Sequence, residues 1–245
     1  MDNGQRMRKF VMLFFSLMGL MAEAQYNGGE YYTDSDVRKR VVGLGVHANP
    51  YYNNRRLLSN SLNPGQVFNL VNDATEGSWR VGWGVDLYIS ISDNFELVTG
   101  VAYSSYEFAY PSVQRDDFLD TLLSFRLEET SHFLTVPIGV SFRTELDDGW
   151  WLEFIPSFEL SWLLDYEGYY ERQGFQRTED LTPLAQDFYS WVAIQAGGTY
   201  RPFDTWGYSL RFEGRYMLNS LIQRSDYPRE TLYSIGAHLG IQYRF

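Results

Sequence analysis

Thirteen ionisable side chains recur on one side of an alternating pattern: His47, Arg80, Asp86, Glu96, Arg143, Glu153, Glu159, Arg201, Arg211, Glu213, Arg215, His238 and Arg244. Most sit between large apolar neighbours. Successive side chains of a strand point to opposite faces, so these groups share a face that the large apolar residues avoid. Charges gathered on an enclosed face must pair, because an unpaired one is costly to desolvate. The first expectation is therefore a salt-bridged network that fixes the fold and blocks its interior. His47 and His238 add a sharper possibility. Two imidazoles with a carboxylate can hold a metal ion or work as an acid–base pair. A hydrogen-bonded plug is the alternative. Neither G-x-S-x-G nor H-E-x-x-H occurs to point to a hydrolase.

The elements that would position these groups are strands. The last stretch, 233–245, places Tyr233, Ile235, Ala237, Leu239, Ile241, Tyr243 and Phe245 on one parity, with Ser234, Gly236, His238, Gly240, Gln242 and Arg244 on the other. The same alternation marks seven earlier stretches, over 41–48, 79–91, 95–108, 132–143, 150–162, 188–201 and 206–218. Asn-Pro, Asn-Asn and Asn-Pro-Gly breakers place a loop over 49–77. Ser92-Asp93-Asn94 and Leu146-Asp147-Asp148-Gly149 read as tight turns. Long and short connections thus alternate along the chain. That rhythm predicts an all-β fold, an eight-stranded antiparallel up-and-down transmembrane β-barrel with short periplasmic turns and long outer loops. Composition alone also fits a soluble β-sandwich. A barrel of eight strands is too narrow to enclose so many Trp, Phe and Leu side chains, which puts the apolar face outside.

The composition sets bounds. Among 245 residues there is no Cys, which excludes a disulfide framework, a thiol nucleophile and an N-terminal cysteine lipid anchor. Aromatics make up 18 %, yet the mean hydropathy is −0.32, far below that of a helical membrane protein. The formal net charge of −11 argues against nucleic acid as a partner. Residues 1–24 have the form of a signal peptide: Arg6, Arg8 and Lys9, then the apolar run 10–21, then Ala22-Glu23-Ala24. Residues 25–40 read as a periplasmic lead-in or a disordered terminus, and 41–245 as the barrel domain. No cofactor is expected.

Several motifs then resemble a known family. His132 to Phe142 (HFLTVPIGVSF) is similar to a strand of the PorT-like outer-membrane β-barrel proteins of Bacteroidota. Trp151 to Leu164, Ala196 to Tyr200 and the closing GIQYRF fall where that family has strands. The ending, with Tyr243 two residues before a terminal Phe245, resembles the strand that barrel-assembly machinery recognises in bacterial outer-membrane proteins. The resemblance implies an outer-membrane location in a Gram-negative bacterium, with lipid around the wall and assembly machinery as a transient partner. The family's naming member belongs to a secretion system, and that role is not transferred to this chain. The expected working surface is the outer loops. Tyr51, Tyr52, Arg55 and Arg56, and Tyr169 and Tyr170, offer the side chains common at protein-binding hot spots. The acids near Asp116 and Glu167 lack the D-x-D-x-D-G spacing of a calcium loop. The expectation is a non-enzymatic docking component of a surface or secretion-related assembly. The alternatives are a rim enzyme acting on lipid or peptide, or a small-solute or lipid conduit.

Overall fold

Eight strands carry the alternation: β1 (Val42–Leu58), β2 (Glu76–Ser92), β3 (Phe95–Tyr110), β4 (Phe125–Asp147), β5 (Trp150–Arg172), β6 (Phe188–Tyr200), β7 (Trp206–Met217) and β8 (Arg229–Arg244). The computed structural model describes residues 42–58, 75–92, 94–110, 115–116, 122–123, 125–147, 149–172, 175–203, 205–222 and 229–245. The signal peptide and lead-in expected over 1–24 and 25–40 lie outside the described residues. Each strand pairs antiparallel with its neighbours in sequence, and β1 pairs with β8, so the sheet closes into a barrel. A further strand, Phe175–Asp180, adds to β5 outside the closed ring. Arg115–Asp116 pairs with Leu122–Leu123 as a separate two-stranded piece.

The strands outrun the sequence-based boundaries on the side of the long connections. β1 continues through Asn49-Pro50 and Asn53-Asn54 to Leu58, where local breakers suggested a loop. Proline lacks a donor, but its place in the sheet is tolerable. The β1–β2 register runs on through Pro50↔Val81, while the β1–β8 ladder skips Asn49 and Pro50 and resumes at Tyr51↔Gly236. A side chain at Gly236 would collide with the Pro50 carbonyl and with Tyr51, so only glycine fits opposite. Likewise β4 starts at Phe125 rather than near His132, and β5 runs to Arg172 rather than Trp162. Tyr51, Tyr52, Arg55, Arg56, Tyr169 and Tyr170 are therefore strand residues, not loop residues. At the short-turn end, Gly149 closes the β4–β5 hairpin with φ of 84° and accepts a 2.8 Å bond from the Arg201 N–H.

The outer face is apolar and bare. Trp79, Trp83, Ile138, Phe154, Ile194, Leu210, Phe212 and Ile235 are all exposed, Phe212 by 74 %. Aromatic contacts bound this band at both ends. Trp150–Tyr200, Trp206–Tyr243 and Phe95–Phe142 lie toward the short turns, and Tyr52–Trp79 and Trp162–Phe188 toward the long connections. The interior has two zones. Charged residues fill the half near the short turns. Nearer the long connections an aromatic cluster holds Tyr51, Tyr106, Phe108, Phe133, Tyr166, Tyr189 and Trp191, with Met217 and Leu232. The sequence reading put Tyr88 and Trp151 on the inner parity but no cluster of large aromatic side chains inside. They fit because inward neighbours are small: a side chain at Gly82 would come within 3.3 Å of the Tyr51 ring. The segment after Phe175–Asp180 folds back over this cluster. Leu181 is buried in it, and Leu184 and Ala185 pack against it.

Candidate functional site

The register assembles the charged interior in tiers. Asp86 of β2 lies opposite Gly45 of β1, His47 opposite Gly84 and Gly240, and His238 opposite Arg211. Glycine at 84 makes room for the imidazole, since a Cβ there would sit 2.7 Å from the His47 ring. The two histidines thus meet across the β1–β8 seam with ring centroids 4.4 Å apart. Asp86 Oδ2 bridges them, 2.8 Å from His47 Nδ1 and 3.3 Å from His238 Nε2, and accepts a 3.1 Å bond from the Tyr88 hydroxyl. Arg211 closes the tier. One of its Nη atoms lies 2.9 and 3.0 Å from the two ring nitrogens of His238, and the other donates to Glu153 at 3.3 Å.

The tier nearest the short turns centres on Glu96, which pairs with Arg143 and, at 2.7 Å, with Arg244. The Trp151 ring lies between two guanidiniums, those of Arg143 at 5.0 Å and Arg201 at 5.1 Å, and Arg201 also reaches Glu153 at 3.5 Å. On the other side of the histidines, Arg215 grips Glu159 through Nε at 3.0 Å and Nη2 at 2.5 Å. Glu213 there receives Asn49 at 3.1 Å and Gln195 at 2.7 Å. Arg215 also packs over Trp191, at the floor of the aromatic cluster.

A last cluster stands beyond the aromatic boundary of the apolar band. Arg55 Nη1 donates to Glu129 at 3.0 Å and Glu230 at 2.6 Å, and the Tyr166 hydroxyl donates to Glu129 at 2.7 Å. A bulge at Leu164 shifts the parity of β5, which turns Tyr166 inward. Burial raises the Glu230 carboxyl above its usual 4.5; Arg55 opposes the shift and Glu129 adds to it. Burial likewise lifts the Tyr166 hydroxyl well above its ordinary value, with Glu230 and Glu129 adding to the effect.

Twelve of the thirteen expected lumenal groups lie in the three tiers. Arg80 instead pairs with Glu107 where the β2–β3 register shifts, both side chains about a third exposed at 35 % and 28 %. Of the expected partner-binding residues, Tyr51 and Arg55 face inward and are buried, whereas Tyr52 and Arg56 face outward. Tyr169 and Tyr170 lie where β5 pairs with the added strand. Tyr243 and Phe245 stack edge to face at 5.1 Å, and the Phe245 N–H bonds the Val42 carbonyl at 2.9 Å, fastening the last strand to the first. Strand parity put Tyr88, Trp151 and Gln195 on the inner face without assigning them to the charged network, and Glu129 and Glu230 were missed because they needed the true strand ends.

His47, Asp86 and His238 have the donor set of a metal site, their ligand atoms lying within 4.8 Å of one another. The geometry does not suit a metal. The Arg211 guanidinium lies against the His238 ring, so a cation already occupies that approach, and Asp86 is engaged by both imidazoles and Tyr88. Acid–base chemistry would need room for a substrate. The cavity lined by Asp86, Arg211 and His238 measures about 20 Å³, enough for one water. What the arrangement can do is hold eight strands in register.

No family model and no curated protein matches the chain. Solved structures with similar folds include the outer membrane protease OmpT from Escherichia coli, at 11 % identity and a TM-score of 0.45, covering 87 % of this chain and 99 % of that one. OprG, an outer membrane protein from Pseudomonas aeruginosa, is 8 % identical with a TM-score of 0.43, over 84 % of this chain and 94 % of its own. Ail, the attachment invasion locus protein of Yersinia pestis, is 11 % identical with a TM-score of 0.38, over 84 % and 99 %. The likeness is one of strand arrangement.

Proposed function

We propose that this chain is an integral outer-membrane barrel that passes no solute and docks a protein partner at its long-connection end. Its bare apolar belt, bounded by aromatic residues, is the wall that a bilayer would cover. The paired charges and the aromatic cluster occupy the interior, which argues against the conduit reading. A histidine cluster shut away from substrate gives the rim-enzyme reading no support.

The observation that carries docking is the strand Phe175–Asp180. It pairs on one side with Glu167 to Arg172 of β5 and on its other side with nothing among the described residues. All six of its residues are exposed. An open strand edge offers unpaired backbone donors and acceptors to an extended peptide, which is how β-augmentation works. Arg177 and Glu179, a pair at 3.7 Å, put charge on the edge and oppose its pairing with another copy of itself. A surface or secretion-related assembly is the class of partner to look for first.

The test is extraction of the native membrane in mild detergent, comparing the wild type with Thr178→Pro, since the Thr178 N–H points away from β5 while those of Arg177 and Glu179 face it. Proline on the edge blocks strand addition without touching the barrel wall. The expected result is a larger assembly that loses its partner in the variant while the barrel still shows folded mobility on an unheated gel. A lone barrel in the wild-type extract, or a partner indifferent to the proline, would sink the docking reading.

A further inference from the structure

The outer wall carries a second feature that the docking reading does not use. On β1 the outward row runs Val46, Ala48, Pro50 and Tyr52, then Asn54 and Arg56. On β8, read toward the same end, it runs Leu239, Ala237, Ile235 and Tyr233, then Thr231 and Arg229. Each strand leaves its apolar run at a tyrosine and places a guanidinium four residues further on. The registers Arg56↔Thr231 and Leu58↔Arg229 make the two arginines diagonal neighbours on one face.

Their electrostatics set them apart. Arg55, Arg143, Arg201, Arg211, Arg215 and Arg244 inside the barrel each pair with a carboxylate. Arg56 and Arg229 are exposed, and neither pairs with a carboxylate among the described residues. Arg229 donates to the Leu218 carbonyl, at 2.5 Å. Two neighbouring guanidiniums with no carboxylate partner among the described residues are conspicuous on a chain of net charge −11. A cleft of about 420 Å³ is lined by Asn54, Arg55, Arg56, Tyr216 and Tyr233, and Arg229 stands next to it as the diagonal neighbour of Arg56. Tyr216 and Tyr233 lie opposite each other in the β7–β8 register and form its floor.

We propose that this cleft binds a phosphate-bearing headgroup of an outer-leaflet lipid, with Arg56 and Arg229 on the phosphate and Tyr216 and Tyr233 against the sugar or acyl base. The proposal rests on the membrane reading above, and not on the docking of a partner. The position fits. Four residues beyond the last aromatic is about 13 Å along a strand and about 10 Å along the normal at ordinary barrel tilt, the depth of the headgroup layer. Guanidinium is the side chain suited to bidentate phosphate contact.

The experiment is native mass spectrometry of the full barrel in maltoside micelles, titrated with diphosphorylated lipid A or with the same lipid stripped of its phosphates. The wild type should bind the phosphorylated form at least about tenfold more tightly, and salt should weaken that preference. Arg56→Gln with Arg229→Gln should abolish the preference, and Arg56→Lys with Arg229→Lys should keep part of it. Equal binding of the two lipids by the wild type overturns the proposal and needs no variant. So does a preference that survives the double Gln substitution, or one that millimolar inorganic phosphate competes away as well as the lipid does. Membrane flotation tests the location separately, so failure of that reading is distinguishable from failure of the site.

Discussion

Arg215→Met tests the interior network most directly. Arg215 makes both its contacts to Glu159 on one carboxylate oxygen, at 3.0 and 2.5 Å, and stands 3.8 Å from Glu213. It also lies 5.4 Å from the centre of the Trp191 ring. Methionine keeps the stem and removes the charge. Glu213 would retain Asn49 and Gln195 as donors, but Glu159, 4 % exposed, would lose its cation. Breaking a buried pair from one side costs about 3–5 kcal/mol, and loss of the cation–π contact adds about 1 kcal/mol. Barrel-sized domains have roughly 5–15 kcal/mol in all, so a loss of about 5 kcal/mol is a third to all of that and lowers the folded-to-unfolded ratio several thousandfold. Glu159→Gln alone should cost less, because Arg215 still has Glu213 beside it. The double variant should lose less than the sum of the two, with a coupling of at least about 2 kcal/mol. Guanidinium unfolding in lipid vesicles, followed by tryptophan fluorescence, reads all three. If Arg215→Met falls within about 1 kcal/mol of the wild type, or the two losses simply add, the pairing is not what holds the interior.

Glu230 gives a pH prediction. A carboxyl whose folded value lies above its usual 4.5 binds more protons folded than unfolded, so its stabilising contribution is complete below 4.5 and is lost as pH rises through the raised value. Melting temperature should therefore fall with rising pH across that window, and Glu230→Gln should flatten the slope; an unchanged slope refutes the assignment. At the C-terminus, Phe245→Ala removes the ring that stacks on Tyr243 and should slow barrel assembly in cells, seen as a larger fraction with unfolded mobility on an unheated gel. Assembly at the wild-type rate would show that the terminal ring is dispensable.

Much of the wall was legible because strand geometry has a period of two and the wall uses it without a break over most of its length. Asp86, Glu96, Glu153, Arg211 and His238 could be placed inside from parity alone. What parity could not show was where each strand ends. Asn49-Pro50 reads as a breaker in isolation. The barrel carries the strand past it because β2 remains paired through Pro50 and Gly236 leaves space opposite. The aromatic cluster was hidden for a related reason. An eight-stranded interior excludes large rings on average, and Tyr51, Tyr106 and Trp191 fit through particular small neighbours that only the register identifies. The pairing of His47 with His238 followed from barrel closure; the guanidinium lying against them came from β7, and nothing in the local sequence announces it.

Arg55 and Arg56 show how far that period of two decides chemistry. They are adjacent in sequence and identical in kind. Arg55 turns inward and is held between Glu129 and Glu230; Arg56 turns outward and pairs with no carboxylate among the described residues. A slip of one residue in the β1–β8 register would exchange them. It would bring Arg56 inward, send Arg55 into the outer wall, and turn Tyr51 out of the aromatic cluster and Tyr52 into it. Arg56 would then stand in for Arg55 and Tyr52 for Tyr51, but Ala48 would take the place of His47 and leave the buried Asp86 without one of its imidazoles. The interior charges therefore select one register of the wall, and the guanidinium left on the outside by that choice is the one available to a phosphate.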